Sequence, residues 1–159
     1  MADDELKEKV KEILAELGVF SGQREITMEE IAILQGQQSG LARIMPEIGQ
    51  RTWKLFYAAK EGHWDLANFQ YSEITELMEL GAYARPKHED ALNQFMAEDW
   101  PSVGEAIKSK DFEAFESAFH KAIEQANAYH ELKDRPYIRW QLPSTPPDDL
   151  ELKPRGGSK

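Results

Sequence analysis

Apolar positions recur every three or four residues along most of this chain. Leu6, Val10, Ile13, Leu14 and Leu17 do so behind Asp3 and Asp4, with Gly18 where a helix would stop, so the pattern predicts an amphipathic N-terminal helix. Gly18 to Ile26 reads as a loop. Thr27, with Glu30 three residues on, makes a capping box for a short second helix reaching about Leu34. The uncharged, glycine-bearing GQQSG from Gly36 to Gly40 then hinges this N-terminal extension, residues 1–38, on the main helical region.

Residues 39–133 carry the pattern of four further helices. The first runs roughly from Leu41 to Lys60 and includes Trp53, Phe56 and Tyr57; Pro46 implies either a start near Met45 or a bend there. Glu61-Gly62 ends it. The second, about Trp64 to Tyr83, sets Leu66, Phe69, Ile74, Leu77 and Met78 largely on one side, and its short connection to the first makes the two antiparallel. The third comes after Pro86, carries Leu92, Phe95 and Met96, is split or bent at Trp100-Pro101, and resumes through Val103 and Ile107. The fourth has the sharpest pattern: Asp111 as N-cap, then Phe112, Phe115, Phe119, Ala122, Ala126 and Tyr129 at alternating steps of three and four. Such a seam faces a partner. The expected fold class is therefore all-α: an antiparallel four-helix bundle with an N-terminal helical extension and an extended, proline-rich C-terminal tail.

That tail, residues 134–159, has little helical periodicity and holds most of the chain's eight prolines. Tyr137, Ile138, Trp140 and Leu142 are too apolar for an idle linker, so the tail up to about Pro147 is expected to lie on the bundle. The last five residues are expected to be unstructured.

Composition narrows the function classes. A chain of 159 residues with 41% hydrophobic and 30% charged residues suits one globular core and contains no membrane span. The acid-rich first twenty residues lack a basic leader and an apolar run, which predicts a cytoplasmic protein. The chain has no cysteine, closing off disulfides, thiolate metal sites, thiol nucleophiles and thioether-linked haem. A net charge of −10 with no basic cluster along the sequence argues against nucleic-acid and membrane partners.

Of the histidines, His63 and His88 fall in a loop and a charged run and are expected at the surface. His120 shares a helix face with Glu113, Glu116 and Glu124; a solvated face is the first interpretation, and a non-haem metalloenzyme using His120 with Glu116 and Glu124 the lesser one. No histidine has a glutamate three residues before it, so the usual di-iron bundle motif is absent. His130 falls on the apolar side of the last helix, either as a packed histidine or as a ligand to metal or haem. Nucleophile-elbow, phosphate-loop and H-E-x-x-H motifs are missing, so no catalytic residue is assigned. Trp53, Tyr57, Phe69, Tyr129, His130, Tyr137 and Trp140, with Arg139 of the tail, form the candidate site for a small apolar or aromatic ligand, with simple core packing as the competing interpretation. Arg135 and Arg139 suit carboxylate-binding forks or structural ion pairs equally.

Two segments, MPEIGQRTWKLFYAAKEGHWDLANFQYSEITELMELG from Met45 and ANAYHELKDRPYIRWQLP from Ala126, resemble helical-bundle proteins related to c-type cytochromes. In haem-bearing relatives the last helix holds a C-x-x-C-H attachment site. Here those positions read Ala126, Asn127, Ala128, Tyr129 and His130: both cysteines are replaced and the iron-ligating histidine remains. The resemblance implies a cytochrome c'-like bundle without covalent haem, Tyr129 filling space that a porphyrin would take. The expectation is a non-enzymatic, haem-free binding protein for a small apolar ligand or a protein partner. The alternative is a non-covalent haem sensor or redox protein with His130 as axial ligand. A homodimer is expected, because the N-terminal helix lies outside the four and must bury its apolar stripe.

Overall fold

The computed structural model describes residues 2–16, 27 and 40–156, and every regular element among them is helical, with no strand. No helix among the described residues is long and apolar enough to cross a membrane. The chain divides into two units, Met1–Gln38 and Ser39–Lys159.

In the first unit, α1 (Ala2–Glu16) spans Leu6, Val10, Ile13 and Leu14 of the predicted stripe, while Leu17 and Gly18 lie outside the described residues. Its Ile13 is 51% exposed, and Lys11 pairs with Glu8 one turn earlier at 2.8 Å. The short helix expected from Thr27 to Leu34 and the GQQSG break lie, apart from Thr27 and Gly40, outside the described residues.

The second unit contains α2 (Leu41–Lys60), α3 (Trp64–Ala84), a 3₁₀ turn (Pro86–His88), α4 (Glu89–Glu98), α5 (Pro101–Ser109) and α6 (Phe112–Leu132). Pro46 neither delays nor starts α2, which begins at Leu41. Pro46 has no N–H to offer the Ala42 carbonyl, but both residues face solvent, which can satisfy that carbonyl. Gly62, at φ +74°, turns the chain from α2 into α3, its N–H donating to the Ala59 carbonyl while that of His63 donates to Ala58.

The predicted third helix is two pieces. Pro101 occupies the first position of α5, where its missing N–H costs nothing. Trp100 at the break is buried, stacks on Tyr71 with centroids 4.9 Å apart, and donates its indole N–H to the Thr75 hydroxyl at 2.9 Å. Gly104 lets α5 come this close: a Cβ there would lie 2.7 Å from the Tyr71 ring. Asp111 caps α6 as predicted, its carboxylate accepting the Ala114 N–H at 3.1 Å. Phe115, Phe119 and Ala122 are buried, and Phe56 of α2 meets Phe119 at 4.9 Å in an aromatic cluster with Tyr57, Phe112 and Phe115. α3 packs on α2, α4 and α5, and α6 on α5 and α2, so the core sits between these five helices.

Beyond α6 the chain runs exposed from Lys133 to Arg139 and then docks. Docking extends past the expected limit near Pro147, because Asp149 reaches Lys54 at 2.6 Å and Leu152 is buried against the core. Of the end expected to be unstructured, residues 157–159 lie outside the described residues.

Candidate functional apolar cavity

A cavity of about 350 Å³ opens among α2, α3, α4, α6 and the tail. It is lined by the stripes that build the helices: Leu41, Met45, Ile48 and Thr52 from α2, Ile74 and Met78 from α3, Leu92 and Phe95 from α4, and Ala122, Ala126 and Tyr129 from α6. Three alanines, Ala91, Ala122 and Ala126, stand where larger side chains would fill the space, and the two methionines are the least shape-committed of apolar groups. The Thr52 hydroxyl is satisfied within α2, donating to the Ile48 carbonyl at 2.7 Å.

His130 is one of the polar groups in this wall. Its Nδ1 is buried without a hydrogen-bond partner. Burial pushes its pKa below the ordinary imidazole value, with the Ile138 backbone opposing in part, so the ring is neutral near pH 7. Tyr129 is shifted the other way, first by burial and then by the charges of Asp99 and Glu98, and stays a phenol.

Trp140 closes the cavity from the tail. Its indole packs 5.7 Å from Trp53, 6.5 Å from the His130 ring, and directly over α2, where a Cβ on Gly49 would meet it at 3.4 Å. The buried amide of Asn127 holds its backbone twice: Oδ1 accepts the Trp140 N–H at 2.6 Å, and Nδ2 donates to the Trp140 carbonyl at 3.0 Å. Farther on, the Tyr57 hydroxyl donates to the Pro143 carbonyl at 2.6 Å. His88, Lys133 and Arg135 complete the lining.

Of the residues singled out from the sequence, Tyr129, His130 and Trp140 share this wall. The others lie outside its lining. Trp53 stands behind Trp140, and Tyr57 belongs to the aromatic core and tethers the tail. Phe69 is 51% exposed, its ring beneath the Arg51 guanidinium of α2 at 6.0 Å. Tyr137 is 75% exposed on the stretch of tail that precedes docking. Arg139 pairs with Glu131 at 2.6 Å on the surface. His120 is exposed, with its ring 5.9 Å from those of Phe56 and Phe119, and no group of three metal-ligating side chains occurs among the described residues.

Asn127 and the lining of Met45, Met78, Phe95 and Lys133 were not singled out from the sequence. Asn127 had a signal: it lies four residues after Ile123 on the apolar stripe of α6, where an amide needs buried partners. Comparison of the chain with family models, with curated proteins and with solved structures finds no match in any of the three.

Proposed function

We propose that this chain is a cytoplasmic, non-enzymatic binding protein that takes a small apolar ligand into the cavity beside Trp140 and His130. The observation that carries the proposal is the cavity itself: its volume falls in the range of small-molecule sites, and its wall is apolar apart from a few polar groups that could orient a guest. No nucleophile is paired with a base in the lining, which favours binding over catalysis. Trp100 and Trp140 both line the space, so a bound guest will change tryptophan fluorescence. The test is titration with a neutral apolar probe such as dodecanol, against wild type and Ala126→Phe, which fills the cavity. Saturable one-to-one binding lost in a variant with unchanged helical circular dichroism is expected. Binding that survives the filled cavity would count against the proposal.

The same reading takes α2, α3, the α4–α5 pair and α6 as the members of an antiparallel four-helix bundle of the cytochrome c' kind. It is supported by the short connections at Glu61–His63 and Lys110–Asp111 and by His130 in the last turns of α6. It also includes a homodimer, supported by Phe69, Leu80 and Tyr83, exposed large apolar groups that share one face of α3.

One observation favours non-covalent haem as a second reading. The unpartnered Nδ1 of His130 lies on an apolar wall, and burial favours the neutral imidazole that ligates iron. The donor fits, although Trp140 beside it narrows the room for a macrocycle. Haem there would supply redox or gas-binding chemistry. Addition of haemin should give a Soret band that His130→Ala removes; no band, or one indifferent to that substitution, ends this reading.

A further inference from the structure

The chain carries a net charge of −10, yet the charged side chains lining the cavity are basic. Lys133 ends α6 and Arg135 lies two residues on in the tail, while His88 approaches from the turn before α4. These groups are close enough that Lys87, Lys133 and Arg135, after burial, all disfavour a proton on His88. Among the described residues neither Lys133 nor Arg135 has an acidic partner. The acids nearby in sequence do not neutralise them: Glu131 is held by Arg139, and Asp134 offers Arg135 only its backbone carbonyl, at 3.0 Å. Glu89 and Asp90, beside His88 on α4, are exposed and do not line the cavity.

Unpaired cations at the end of an apolar cavity have one natural complement, a guest with a hydrocarbon body and an anionic head. We propose that the ligand is a single-chain amphiphile bearing a carboxylate, its body among Met45, Met78 and Phe95 and its head at Lys133 and Arg135. This rests on the apolar-ligand reading and adds the head group to it. An arginine fork matches a carboxylate in geometry, and a charge-assisted bond at the edge of a low-dielectric space is stronger than one between two groups in open water. The body sets affinity through burial, about fourfold for each methylene that enters. The head sets the choice between guests of equal length.

The test uses the full chain at pH 8 and low salt, with tryptophan fluorescence and calorimetry, and three probes below their micellar concentrations: dodecanoate, dodecanol and dodecyltrimethylammonium. Dodecanoate should bind about tenfold more tightly than dodecanol, and the cation most weakly. Octanoate and decanoate should fall on a rising series towards dodecanoate. In the double variant Lys133→Glu with Arg135→Glu, both at exposed positions, dodecanoate should lose its advantage over dodecanol measured in the same variant. Equal binding of dodecanoate and dodecanol to wild type, or a preference for dodecanoate that survives charge reversal, overturns the head-group assignment and leaves the apolar-ligand reading standing. Failure of all three probes to bind overturns both.

Discussion

Replacing Asn127 by leucine keeps the branched outline of the side chain in the last helix and removes both hydrogen bonds to Trp140. Two such bonds are worth about 1 kcal/mol each in net stability, and a backbone N–H or C=O left buried without a partner costs about 1–3 kcal/mol. The tail can avoid the second cost by peeling off, but it then gives up the packing of Trp140 on Trp53 and over Gly49, an aromatic pair worth about 0.5–1.5 kcal/mol beyond its buried area. Either route gives a loss of about 2–4 kcal/mol, which lowers the melting temperature of a chain this size by roughly 4–16 °C. Urea unfolding followed by circular dichroism measures the loss. Trypsin tells the routes apart, since Lys133 and Arg139 are already exposed and cleavage there should accelerate only if the tail detaches. A loss below about 0.5 kcal/mol with unchanged proteolysis would refute the claim that this amide anchors the tail.

The geometry carries three more expected outcomes. Gly104→Ala should destabilise by about 1–3 kcal/mol, because the new methyl must push the Tyr71 ring off its stack with Trp100; near-ultraviolet circular dichroism should lose aromatic signal at the same time. Burial holds the pKa of His130 below the ordinary 6.5, so the unfolded chain takes up a proton that the folded chain refuses. That contribution to stability is therefore complete above about pH 6.5 and declines as pH falls through the window below it. The urea midpoint of His130→Gln should depend less steeply on pH there than that of wild type; the same dependence in both would count against a buried neutral imidazole. His88 shifts the same way and titrates in both proteins, so it does not affect the comparison. Leu80→Glu with Tyr83→Glu, at exposed sites on α3, should convert a sedimenting dimer to monomer with little change in stability, whereas wild type that sediments as a monomer rules the dimer out.

What the sequence disclosed depended on how far each feature reaches along the chain. The seam from Phe112 to Tyr129, the Asp111 cap and the break at Trp100-Pro101 are set by neighbours a few residues apart, and each appears where its local chemistry puts it. Pro46 was ambiguous because its cost depends on whether the Ala42 carbonyl meets solvent, which is a matter of tertiary exposure. Aromatic character alone could not separate Tyr129 and Trp140, which line the cavity, from Phe69 and Tyr137, which face out. The cavity is a property of what stands opposite: Ala91 on α4 faces the same space as Ala122 and Ala126 on α6, and no periodicity within one helix reports that. The basic groups were hidden for the same reason. His88 is far from Lys133 and Arg135 in sequence, so the cluster exists only once α6 and the turn before α4 are brought together.

Trp140 has two connected roles, since it carries the tail's best-anchored backbone and also forms a wall of the cavity. Beyond it the chain is a brace, fixed by Tyr57 at Pro143, by Lys54 at Asp149 and by the burial of Leu152. Before it, the exposed stretch from Lys133 to Arg139 is held on α6 by the Arg135 N–H at the His130 carbonyl, 2.8 Å, and by Arg139 at Glu131, and it supplies Lys133, Arg135 and Ile138 to the same cavity. A guest that binds only the docked tail stabilises it by RT ln(1 + [L]/Kd), and by the same linkage any change that loosens Trp140 weakens the guest. On the proposed reading, Asn127→Leu should therefore weaken guest binding together with tail docking, although Asn127 does not line the cavity.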